Sequence, residues 1–264
     1  MKMLVKMLTL MAFLFITTQS FAQNIAEDST GFAGDNFSLE GALSLFKKSN
    51  SIEEFEKFIN AESSNVNNLD LNDDGEIDYI RVIDKVDGTS HAIILQAVLK
   101  DEEYADIAIV GIEKTGDESA VLQIIGDKDI YGKETIIEPQ EESGVDNGKN
   151  APFDHYEVNR IVVNVWFWSP VRFIYAPRYV PWVSPFRWRV YPMGWKPWRP
   201  VAWRTHYGFR QNHRVGFYST KTLRVTKARN FYRPHRKNVV IVKNRRGGMR
   251  HNKVRGGGRR GRGR

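Results

Sequence analysis

The residues with the clearest capacity for chemistry are nine in a row: Asp70-Leu71-Asn72-Asp73-Asp74-Gly75-Glu76-Ile77-Asp78. Oxygen ligands stand at positions 1, 3, 5 and 9 of this stretch, with glycine at position 6. Calcium is a hard cation that takes about six to eight oxygen ligands. Alternation turns the side chains of Asp70, Asn72 and Asp74 to one side, and Gly75 permits a sharp turn. The Glu76 carbonyl and Asp78 can then close the shell. Calcium is the expected cofactor, with Asp70, Asn72, Asp74, Glu76 and Asp78 as its ligands. The same residues also suit an Asx-rich β-turn that needs no metal.

Position 12, where a helix–loop–helix calcium site places a bidentate Glu, is Arg81. Residues 79–86 are rich in β-branched side chains and read as a strand. The stretch therefore resembles the calcium-binding hairpin loops of integrin-type (FG-GAP) repeats, over nine residues and in one copy. The resemblance implies calcium held between two strands by Asp70, Asn72, Asp74, the Glu76 backbone and Asp78.

No second constellation has catalytic spacing. The six histidines form no HxH or HExxH pair, cysteine is absent, and there is no nucleophile elbow or phosphate-binding glycine loop. Thiol chemistry, thiolate zinc sites and iron–sulfur clusters are excluded. Carboxylates are plentiful, so a small hydrolase using an acidic pair is one alternative, but a dyad needs a cleft that a short meander offers poorly. The expectation is a protein that is not an enzyme.

The elements that would position the loop follow from the pattern around it. Lys2 and Lys6 precede an apolar run at 8–16, and Ser20-Phe21-Ala22 ends it with small residues. This is the pattern of an export signal cleaved between Ala22 and Gln23. The run is too short for a membrane span and no later run reaches 18 apolar residues, so no transmembrane segment is expected in the mature chain. The expected location is the periplasm, the outer membrane or the extracellular space.

Charge then divides the chain. Residues 23–150 hold 29 Asp and Glu against 10 Lys and Arg; residues 151–264 hold 27 Lys and Arg against 2 Asp and Glu. Seven segments follow: a signal at 1–22, a leader at 23–36, an acidic domain at 37–140 and a polar linker at 141–155. Then come a Trp/Pro/Arg-rich segment at 156–206, a basic segment at 207–243 and an Arg/Gly-rich tail at 244–264. Opposite charges predict that the basic half docks on the acidic half, within or between chains, weakly and in a salt-sensitive way.

The acidic domain reads as α+β: two short helices packed on an antiparallel meander of about five strands. Ser38 caps a helix with Leu39, Ala42, Leu43 and Phe46 on one face. Ser51 and Glu54 form a capping box before Ile52, Phe55, Phe58 and Ile59. Strands are expected at 66–71, 77–86, 91–99, 106–113 and 120–125, with a short one at 134–137. Asp87-Gly88 marks a hairpin.

The basic half begins with one expected strand within 156–168, after which prolines argue against helix and central strand alike, leaving extended chain. All seven tryptophans lie between residues 166 and 203. Two readings stay open: an aromatic wrap that completes the core, or an exposed aromatic surface formed by Trp182, Trp188, Trp195, Trp198 and Trp203. The residues expected to bind polyanions are Arg187, Arg189, Lys196, Arg199 and Arg204, with Arg245, Arg246, Arg255, Arg259, Arg260, Arg262 and Arg264 of the tail. The tail has almost nothing to bury and is expected to be disordered; it resembles the arginine-glycine tails of RNA-binding proteins.

As a whole the layout resembles a family of exported, uncharacterised bacterial proteins with a signal peptide, an acidic domain containing the NDDGxxDYIRV segment, and a Trp/Pro/Arg-rich tail. The function expected is a non-catalytic envelope or extracellular binding protein that engages an anionic lipid, an acidic polysaccharide or a nucleic acid. The alternative is a nucleic-acid-binding protein acting through its tail.

Overall fold

The structure, a computed structural model, describes residues 29–141 and 161–237. The signal and its cleavage site at Ala22 and Gln23, most of the linker and the seven tail arginines expected to bind polyanions lie outside the described residues. Among the described residues are six α-helices and one antiparallel sheet of six strands. No described helix is long and apolar enough to cross a membrane.

Two capped helices open the fold. In α1 (Leu39–Lys48), Ser38 Oγ accepts the Gly41 amide at 2.9 Å, and Leu39, Ala42, Leu43 and Phe46 are buried. Unpaired amides at a helix start favour such a hydroxyl. In α2 (Ile52–Ile59), Ser51 Oγ accepts the Glu54 amide at 3.1 Å, while the Glu54 carboxylate takes the Asn50 amide at 2.6 Å rather than that of Ser51. Phe46 and Phe55 meet edge to face, 5.3 Å between centroids, and lock the two helices together.

The sheet is a meander in chain order: β1 (Tyr79–Asp87), β2 (Ser90–Lys100), β3 (Glu103–Gly116), β4 (Ser119–Gly126), β5 (Thr135–Pro139) and β6 (Phe217–Thr220). Gly88 turns the first hairpin at φ +58°, a conformation that favours glycine. A one-turn α3 (Lys128–Tyr131) joins β4 to β5. Every residue of β2 before Lys100 is buried, because both faces of the sheet are covered. Ile80, Val82, Ile93, Leu95 and Val110 face α1 and α2. Ala92, Ile94, Ile109 and Ile125 form a second cluster with Val225, Ala228 and Tyr232.

That second cover is α6 (Thr226–Tyr232), which comes from the basic half. It approaches closely: a Cβ on Gly111 would stand 2.7 Å from a Val225 methyl. The basic half also completes both sheet edges. β6 pairs with β5 from Ile136↔Thr220 to Pro139↔Phe217. On the far side, Asp84 N donates to Trp182 O (2.7 Å) and Ser184 N to Val82 O (3.0 Å), so residues 182–184 cap the open edge of β1. An uncovered edge strand invites pairing with other chains. The division by charge is thus not a division of the sheet.

Several expectations are corrected. Residues 66–71 form no strand; only the bridge Phe37↔Asn67 remains. Asn67 and Asn68 satisfy backbone groups with their side chains instead: Asn67 Nδ2 donates to Asp78 O, and Asn68 pairs with both backbone groups of Val201. No strand lies within 161–168, although Val165 N still bonds Ala120 O and its side chain is buried. The Pro-rich segment is not wholly extended: α4 (Ser169–Ile174) places Pro170 in its first turn, where no amide partner is lost, and α5 (Trp203–Gln211) follows the last proline.

Candidate functional site

The 70–78 loop closes on itself. Asp70 accepts the amides of Asp74 (3.1 Å) and Gly75 (3.0 Å), Asn72 Oδ1 accepts that of Asp74 (3.0 Å), and Asp74 Oδ1 accepts that of Glu76 (2.9 Å). Gly75 has φ +84°, as the turn requires, and Asp73 shares the left-handed region at φ +55°. Asn72 Nδ2 ties the loop to Leu99 O at the end of β2. Asp78 is buried and takes the Leu71 amide at 2.6 Å. Among the described residues no group of three or more His, Asp or Glu is placed to hold a metal ion.

In the wrap from 182 to 204 the tryptophans and the cations differ in exposure. All five tryptophans are half-buried. Trp182 Nε1 donates to Glu56 (2.9 Å) and Trp195 Nε1 to Asn60 O (2.9 Å). Tyr79 is surrounded by Phe186, Tyr191 and Trp195 at centroid distances of 5.0 to 5.6 Å. Trp198 O takes the Ile77 amide at 2.8 Å, pinning the wrap to the end of the acidic loop. Trp203 stacks on Tyr207 at 5.1 Å. By contrast Arg187, Arg189, Lys196, Arg199 and Arg204 are exposed, and none makes an ion pair with a described residue. The loop and the wrap meet: Asp74, Glu76 and Asp78 line one small cavity, about 240 Å³, together with Trp188, Arg189 and Tyr191.

Sequence reasoning missed the buried carboxylates, which are the principal polar links between the halves. Glu56 on α2 accepts four hydrogen bonds: from Tyr79 Oη (2.8 Å) and Ser184 Oγ (2.6 Å) at one oxygen, and from Val82 N (3.1 Å) and Trp182 Nε1 (2.9 Å) at the other. Burial pushes its pKa up, against the pull of those donors. Asp84 on β1 contacts His91 Nδ1 (2.9 Å) and accepts Tyr179 Oη (2.8 Å). Asp106 on β3 accepts Gln96 Nε2 and Tyr232 Oη, each at 2.6 Å, and the Lys237 amide at 2.8 Å; burial pushes its pKa up as well. Glu138 on β5 takes Gln123 Nε2 at 2.6 Å, the Tyr218 hydroxyl, and Arg224 Nε at 3.1 Å. Buried acids of this kind require partners, and in all four cases the basic half supplies one or more.

One signal for Glu56 was present: it stands four residues after Ile52 and three before Ile59, on the apolar stripe of its own helix. Each of these carboxylates is engaged by structural groups. The chain matches no protein-family profile, no curated protein and no solved structure.

Proposed function

We propose that this is an exported, non-catalytic binding protein of the cell envelope or extracellular space, which engages polyanions through the outward cations of its wrap. The reading rests on the contrast within 182–204: Trp182 and Trp195 bond the acidic half, while five cations are exposed and in no ion pair with a described residue. Arginine offers paired donors to phosphate, sulfate or carboxylate. The export-type N-terminus and the resemblance to exported bacterial proteins support the location.

Counterion release then governs affinity, which falls linearly with salt on logarithmic axes. Replacing Arg187, Arg189, Lys196, Arg199 and Arg204 together by alanine is expected to weaken heparin binding at low salt by about tenfold or more and to flatten that salt slope. Fluorescence polarisation with labelled heparin measures both. Unchanged affinity and slope would remove the wrap from the binding surface.

Calcium belongs to the same proposal, as a structural ion of the 70–78 loop. It would replace the loop's internal contact between Asn72 Nδ2 and Asp74. At about 100 times its dissociation constant it would stabilise the fold by about 2.7 kcal/mol. Thermal melts of the whole chain should rise with calcium, and Asp74→Ala should remove the gain. Melts indifferent to both calcium and EDTA would leave the Asx turn.

A further inference from the structure

A second cationic feature lies away from the wrap, where α3 and α6 approach the ends of β3 and β4. It is a cleft of about 390 Å³, within the range of small-ligand sites. Its floor is apolar, formed by Ala108, Ile109 and Ile125. Its two lining carboxylates are already neutralised. Arg229 grips Glu134 with two bonds of 2.8 Å, and Arg236 pairs with Asp127 and with neighbouring Asp129. What remains is Lys128, Lys133 and Arg233, all exposed, all lining the cleft and none in an ion pair with a described residue.

We infer that this cleft binds a small organic anion, a phosphate or carboxylate group carried on an apolar body. With Arg229 and Arg236 set against Glu134, Asp127 and Asp129, the five cations of the cleft exceed the three carboxylates by two, and this excess focuses a positive potential into the pocket. Arg229 uses Nε and Nη2 on Glu134 and is thereby held rigid, with further guanidinium donors beside the opening. A fixed guanidinium loses little freedom on accepting an anion. The apolar floor has no use for a bare inorganic ion but suits a ring or short chain. The larger aromatic cleft over Glu56, about 730 Å³, carries no such inference, because the carboxylate at its floor is fully engaged by its own neighbours.

The site is independent of the polyanion surface proposed above, and the test keeps them apart. Isothermal titration of the full chain with phenyl phosphate should give saturable binding, at least about tenfold tighter than inorganic phosphate, since the buried ring adds apolar contact. Combined Lys128→Ala, Lys133→Ala and Arg233→Ala should weaken phenyl phosphate by about tenfold or more while leaving the melting temperature near that of the parent, because these exposed side chains are in no ion pair with a described residue. Combined Arg187→Ala, Arg199→Ala and Arg204→Ala should leave it unchanged. Absence of saturable binding, or equal binding by the parent and the first triple variant, would overturn the inference.

Discussion

Glu56→Leu is expected to cost about 3–5 kcal/mol of folding stability, the loss typical of breaking a buried charged network. Leucine fits the volume but leaves the Val82 amide, the Trp182 indole N–H and two hydroxyls without their acceptor. Glu56→Gln should cost far less. An amide nitrogen at the Oε1 position can donate to the hydroxyls of Tyr79 and Ser184, which turn from donor to acceptor, while the remaining oxygen still takes Val82 and Trp182. The two variants also separate by pH. Burial raises the Glu56 pKa above its ordinary value of 4.5. A raised carboxyl contributes stability that is fully present below the unfolded pKa and lost as pH rises through the folded one. Glutamine does not titrate, so the advantage of the parent over Glu56→Gln should shrink from pH 4.5 upward. Denaturant unfolding at pH 4.5 and pH 8 measures this. A loss under about 1 kcal/mol for Glu56→Leu would mean that the network is not closed to water.

The acidic half was the legible half, because its elements advertise themselves locally. Ser38 and Ser51 stand directly before apolar residues at helical spacing, and Asp87-Gly88 sits between two β-branched runs. The 70–78 loop was found as a turn with inward oxygens for the same reason. What was illegible depends on partners distant in sequence. The Phe217–Thr220 strand is four residues, half of them polar, and becomes a strand only because the β5 edge is open beside it. Residues 66–71 carry apolar Val66, Leu69 and Leu71, yet the side chains of Asn67 and Asn68 bond the backbone of Asp78 and Val201 in place of a strand partner. The prolines between 170 and 200 argued for extended chain throughout, but Pro170 occupies the one helical turn that tolerates it. Which way Trp182 and Trp195 turn cannot be read from their spacing, since their indole partners are Glu56 and Asn60, more than a hundred residues earlier.

A chain that stops at residue 141 is expected not to fold cooperatively, although it keeps both capped helices and five of the six strands. It loses the cover on one whole face of the sheet. Ala92, Ile94, Ile109, Ile125 and Ile136 would return to water from near-complete burial. At about 1.5–3 kcal/mol for each large side chain, that loss is on the order of 6–12 kcal/mol. A domain of this size is stable by only about 5–15 kcal/mol in total. The truncation also opens both sheet edges and leaves Glu56, Asp84, Asp106 and Glu138 short of donors. Surface charge enters little into this balance, so the contact between the halves should not behave as a weak ionic one. Residues 23–141 alone should show exposed apolar surface by dye binding and no sharp thermal transition. Adding residues 161–264 as a separate chain should restore a cooperative melt, and the restored complex should persist in about 1 M salt, where the Debye length is near 3 Å. A sharp melt of 23–141 by itself would show that the basic half decorates a finished domain. Dissociation of the complex between 0.1 and 1 M salt would show that charge, rather than α6, β6 and the contacts of Trp182 and Trp195, holds the halves together.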